Sequence, residues 1–135
     1  MSAATPEITS LVGVYNAEGT LAGELRYWFG ARLGRVHCAL CEITHGSFRE
    51  KAEWKRVSGA LPVSFETVHL DERSPELRLA SASATPCVLA AISGAGFEIL
   101  LGPEQLEACR SQPQALAAAI LAAAEERQLR FAAGI

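Results

Sequence analysis

Apolar positions recur along this chain with two different periods, and the switches between them divide it into elements. Ile8 to Tyr15 is rich in β-branched and aromatic residues and stops at Asn16, which predicts a buried first strand. Leu21, Leu25, Trp28, Phe29 and Leu33 then return at helical spacing, with Thr20 placed to cap the start and Gly34 to end the helix. Ser47 with Glu50 three residues later forms a capping box, predicting a second helix that runs to about Val57. After the break at Ser58 and Gly59, the alternation from Pro62 to Leu70 predicts a second strand.

The second half is punctuated by proline and glycine. Ser74 followed by Pro75 marks the start of a short helix, serine as cap and proline at the first helical position. Cys87 to Ile92 and Phe97 to Leu101 are short apolar runs joined by Ser93, Gly94, Ala95 and Gly96, an antiparallel pair with a glycine-rich turn. A turn or two of helix follows from Pro103 to Cys109. Ser111 as cap, Pro113 as first helical residue and Gln114 as the answering side chain then lead into an alanine-rich helix.

Composition narrows the class. The chain has 135 residues, half of them apolar, enough for one hydrophobic core and too few for two ordinary domains, so residues 1–135 read as a single domain. Twelve basic residues against fifteen acidic give a net charge of -3, with no basic run of the kind nucleic acid or an anionic membrane selects. Nucleic acid and membrane are therefore not expected partners. Met1 to Glu7 has neither the basic nor the apolar stretch of a secretory signal, and Ala115 to Ala124 is about half the length of a bilayer crossing. A cytoplasmic location is expected, where cysteines serve as free thiols, ligands or redox partners rather than as staples.

Candidate chemistry is concentrated between His37 and His45, which hold two of the four cysteines and two of the three histidines. If that stretch is helical, Cys38, Cys41 and His45 fall at i, i+3 and i+7 and share a face, with His37 off it. Thiolate and neutral imidazole suit zinc-type metals, and a Cys-x-x-Cys pair is also the smallest dithiol that can cycle to a disulfide. A tetrahedral metal site would need a fourth ligand from His37, His69 or Cys87. Plain packing is the third possibility, since buried free cysteine behaves as a small apolar residue. Cys87 and Cys109 read as core residues, and His69, which shares strand parity with Val63 and Phe65, as a partly buried, hydrogen-bonded histidine. No Walker loop, G-x-S-x-G elbow or H-E-x-x-H motif is present.

The order strand, helix, helix, strand, helix, Thr-Pro-strand, hairpin, strand, helix resembles the thioredoxin-like arrangement, an α/β fold with a four-stranded mixed sheet and helices on both faces. It is nearest to the glutaredoxin branch. The resemblance is carried by Ala84-Thr85-Pro86-Cys87-Val88-Leu89, by Gly94 and Gly96, by Gly102-Pro103 followed by Leu106, and by the closing helix, over residues 84 to 124 or so. It implies a cis Thr85-Pro86 bond lying across from the redox cysteines, with Thr85 and Pro86 bordering a ligand groove. The chain departs from the pattern where the family keeps its Cys-x-x-Cys: Ala17-Glu18-Gly19-Thr20 stand there instead. Cysteines past a helix about 21 Å long would begin at the far edge of the sheet unless the chain turns back.

Three functions follow from these residues. In the first, a thiol-disulfide oxidoreductase, Cys38 attacks a disulfide, Cys41 resolves the mixed intermediate and His45 tunes the thiolate, with a protein or small thiol/disulfide as partner. In the second, the same Cys38, Cys41 and His45 bind a transition metal. The third is a non-catalytic interaction domain that holds a peptide in the groove near Pro86. Zinc and glutathione are the cofactors open to such a site.

Overall fold

In a computed structural model of the chain, residues 6–16, 39–44 and 52–132 are described. The helix expected from Thr20 to Leu33 and the Ser47–Glu50 capping box lie outside these residues. The strands are β1 (Glu7–Val14), β2 (Phe65–Val68), β3 (Cys87–Ile92), β4 (Gly96–Leu101) and β5 (Arg130–Phe131). The helices are α1 (Ala39–Thr44), α2 (Ala52–Gly59), α3 (Pro75–Ser81), α4 (Pro103–Ala108) and α5 (Pro113–Glu126), with a 3-10 turn at Leu70–Glu72.

The result is a mixed α/β architecture on a mixed sheet, ordered β2-β1-β3-β4. β1 runs parallel to β2, antiparallel to β3 and parallel to β5, while β4 is antiparallel to β3. The fifth strand is an addition to the four expected. It comprises two residues, too few to show a period, and is set by tertiary hydrogen bonds from the Arg130 amide to the Pro6 carbonyl and from the Ala132 amide to the Ile8 carbonyl. β5 takes the first part of one edge of β1, and β2 takes the last four positions, Leu11 to Val14.

Alternation sends β1 and β3 to two cores. On one face Leu11, Tyr15, Val88 and Ala90 pack with Leu40 and Ile43 of α1, Trp54 of α2, Leu106 of α4 and Leu116 and Ile120 of α5. On the other, Val12, Val14, Cys87 and Leu89 pack with Leu77 of α3. A register irregularity between Ile8 and Ser10 lets Ile8 and Leu11 share the first face despite their odd spacing. Gly13 is what allows α1 to lie so close. A β-carbon there would meet Leu40 Cδ2 and Phe65 Cε1, each at 3.0 Å.

Several predicted boundaries hold, and others move for local reasons. Ser74 Oγ accepts the Leu77 amide at 3.2 Å with Pro75 at the first helical position, as expected. Gly94 and Gly96 turn the hairpin with φ of 73° and 77°, values open to glycine, and β4 begins at Gly96 rather than Phe97. The alternating run from Pro62 to Leu70 yields strand only over Phe65–Val68, because that is the stretch with a partner on β1. The cap of α5 is Gln112, not Ser111, which lies in the left-handed region at φ 62°, so the capping box with Gln114 does not form. The Thr85–Pro86 bond is cis, as the resemblance implies.

Candidate functional site

The polar side chains that converge on one place do so at the carboxyl end of the parallel pair β1 and β2. Where such strands end together, their loops diverge and leave a crevice, the usual place for ligands in α/β sheets. Tyr15 and Asn16 continue β1 there, and His69 directly follows β2. The Tyr15 amide donates to the Val68 carbonyl at 2.9 Å, which fixes the two strand ends side by side. Val14 lies opposite Cys87, so the Thr85–Pro86 bond falls next to Asn16, whose Oδ1 accepts from Thr85 Oγ1 at 3.1 Å.

Helix α1 reaches the same end. Leu40 lies over Gly13, and one turn later the buried Thr44 Oγ1 is 2.8 Å from the Tyr15 hydroxyl. The helix therefore runs toward the carboxyl end of β1, on the same face of the sheet as helices α4 and α5 and in contact with both. Cys41 belongs to this helix. Cys38, His45 and His37 lie outside the described residues. Of the residues the sequence proposes, the structure thus brings Thr85, Pro86 and the helix that contains Cys41 to one end of the sheet.

Two residues that the sequence does not single out together complete the corner. Glu72 Oε1 accepts the His69 backbone amide at 2.7 Å and sits 2.8 Å from His69 Nδ1. These hydrogen bonds hold the Glu72 carboxyl below its ordinary range, the backbone amide being the larger cause and the imidazole the next. The imidazole leans against the Tyr15 ring, centroids 5.2 Å apart at 55°. Its side chain is 24% exposed. A carboxylate three residues after a strand-end histidine is the one signal that could have found this pair in advance.

The remaining thiols stand apart. Cys87 adjoins Pro86, but its side chain enters the second core, on the opposite face of the sheet from Tyr15 and α1. Burial pushes its thiol up from 9.0 to about 11, with the Arg73 charge acting weakly in the other direction, so it stays protonated at neutral pH. Arg73 is occupied elsewhere: Nε donates to the Leu70 carbonyl, and Nη1 donates to Ser81 Oγ and the Ala82 carbonyl, joining the two ends of α3. The Cys109 Sγ lies 3.4 Å from the Gln105 carbonyl it donates to, and burial raises its thiol too. Both are packing residues.

Among the described residues, no group of three or more His, Cys, Asp or Glu stands close enough to hold a metal ion. No helix among them is long and apolar enough to cross a membrane. A groove of about 370 Å³ between β4, α4 and α5 is lined largely by Leu100, Leu101 and the alanines of α5, with Gln105, Glu126 and Arg127 as its polar groups. It is built from none of the residues at the carboxyl corner. No family model, curated protein or solved structure matches the chain.

Proposed function

We propose that this is a thioredoxin-like protein of glutaredoxin type whose function is thiol-disulfide exchange, with Cys38 as attacking thiol and Cys41 as resolving thiol. The observation that carries the reading is the course of α1, the helix that contains Cys41, whose last residue Thr44 meets Tyr15 at the end of the sheet where Asn16 accepts a hydrogen bond from Thr85. The strand order β2-β1-β3-β4, with β3 antiparallel to its neighbours, supports the family assignment, as do helices on both faces. With Cys87 and Cys109 buried and their thiols raised, Cys38 and Cys41 are the thiols left for the chemistry.

In the exchange, the Cys38 thiolate attacks one sulfur of a substrate disulfide, and the other sulfur leaves as a thiolate that takes up a proton. Cys41, losing its own proton, then attacks the Cys38 sulfur and expels the second substrate thiolate. The substrate gains two electrons and two protons and becomes a dithiol. The protein gives them up and is left with a Cys38–Cys41 disulfide. A small thiol such as glutathione, or a protein dithiol, returns the pair to its reduced state.

The test is a native thiol titration with metal analysis of the same purified protein. Reversible loss of two thiols, abolished in Cys38→Ser and Cys41→Ser, is the expected result. Stoichiometric zinc lost in those variants would replace the redox reading by metal binding through Cys38, Cys41 and His45. Metal-free protein with inert thiols would leave the interaction domain with its groove near Pro86.

A further inference from the structure

On the side of the sheet away from β2, the edge strand carries a contact that lies outside the carboxyl corner. β4 ends the order β2-β1-β3-β4, and among the described residues no strand pairs with its outer side. An open edge presents unpaired amides and carbonyls, a template for another strand. The residues of β4 themselves protect it little, since Gly96–Leu101 holds one charge, Glu98, and no proline.

The backbone groups that face outward follow from the register. The Ser93 amide donates to the Glu7 carbonyl, toward β1, so Ile92 before it turns its own groups toward β4, opposite Gly96. Opposed residues in an antiparallel ladder alternate between exchanging both bonds and exchanging none. Glu98 therefore bonds to Ala90, while Phe97 opposite Ala91 and Ile99 opposite Leu89 point their amides and carbonyls away from β3.

We propose that Arg127 guards this edge and keeps β4 from pairing with β4 of a second copy of the chain. Arg127 caps α5, its own amide held by the Ala123 and Glu125 carbonyls. Its Nη2 donates to the outward Ile99 carbonyl at 3.0 Å, and its Nε lies 3.6 Å from Glu98 Oε2. The guanidinium thus stands where the amide of an incoming strand would bind.

A second copy is the partner because the edge is complementary to itself. With two β4 strands antiparallel about a twofold axis at Glu98, Phe97 of each copy exchanges both backbone bonds with Ile99 of the other. Phe97 and Ile99 share the α3 face, so an aromatic and a β-branched side chain meet across the pair. Glu98 lies opposite its own copy in that register, a like charge that adds to the guard. Arg127 and Glu98 are both exposed, and such a pair adds little to the stability of the fold. Its effect is on what the edge can bind.

The experiment measures molar mass by light scattering against concentration, with amide hydrogen exchange, in wild type, Arg127→Ala, Arg127→Ser and Arg127→Ala combined with Ile99→Pro. The two single variants are expected to dimerise about tenfold or more tightly than wild type, because each copy regains a free carbonyl for the pair. In the dimer the Phe97 and Ile99 amides should exchange about tenfold more slowly. Ile99→Pro deletes an outward amide, a change that an edge strand tolerates, and should return both the mass and the Phe97 exchange to wild-type values. Unchanged mass in both single variants overturns the guard, as does a dimer that survives Ile99→Pro, since its contact would lie elsewhere. Loss of the folded far-ultraviolet spectrum in both single variants also overturns it, because Arg127 would then be holding the fold rather than the edge.

Discussion

The two faces of the sheet are held by different means. On the face that carries Tyr15, helices α1, α2, α4 and α5 share one apolar cluster. On the face that carries Cys87, the two-turn helix α3 contributes Leu77 over Val12, Val14 and Leu89. Tyr15 and Cys87 belong to neighbouring strands, with Val14 directly opposite Cys87, yet their side chains go to opposite faces because successive strand residues alternate. The difference teaches where chemistry can sit: the thickly covered face brings a helix end and two polar side chains to its carboxyl corner, and the other face buries its thiol beyond use.

Substitutions can break this comparison, beginning with the largest effect. Leu116, fully buried beneath several elements, has no easy way to close the space it would leave, so Leu116→Ala is expected to cost about 4 kcal/mol in chemical denaturation. Leu77→Ala removes the same atoms from a short helix that can settle inward, and about 2 kcal/mol is expected. Equal losses at the two positions would show that the faces are equally rigid.

A smaller change probes the corner itself. Tyr15→Phe keeps the ring against His69 and deletes the hydroxyl that meets buried Thr44, with about 1 kcal/mol of stability expected to go. A loss near zero would mean that α1 is held at this end by packing alone. The least effect at neutral pH belongs to Cys87→Ala, about 1 kcal/mol or less for a small buried side chain, but this variant has a pH signature. The folded state holds the Cys87 thiol protonated up to about pH 11, while the unfolded chain releases that proton from about 9.0. Stability from this group is complete below the lower value and is lost as the pH rises through the window. Denaturation midpoints measured across it should fall more steeply in wild type than in Cys87→Ala; parallel curves would show that Cys87 does not set the alkaline limit.

Much of the fold is legible in short runs of residues. The β3–β4 hairpin follows from two apolar runs and the glycines that turn between them, and the start of α3 from a serine and a proline, because both depend on neighbours within a few positions. Ser111 misleads for the same kind of reason: its side chain suits a cap, but the turn from α4 places its backbone in a left-handed conformation and hands the cap to Gln112. β5 has no pattern of its own and exists because Pro6 and Ile8 offer backbone partners. For the proposed site, Thr85 and Pro86 are readable as a Thr-Pro pair directly ahead of an apolar run. The His69–Glu72 pair is not, since its meaning lies in the tyrosine it meets from another strand.

By itself the sequence determines an α/β chain with half its residues apolar, a dense Cys/His stretch and a Thr-Pro-strand unit, since these rest on composition and local spacing. Only the tertiary structure decides that α1 runs to the carboxyl end of β1, that Cys87 turns away from that end, and that His69 with Glu72 faces Tyr15 there. The physical reason is that strand register and helix packing are set by contacts between residues distant along the chain. A one-residue difference in register sends a side chain to the opposite face of the sheet.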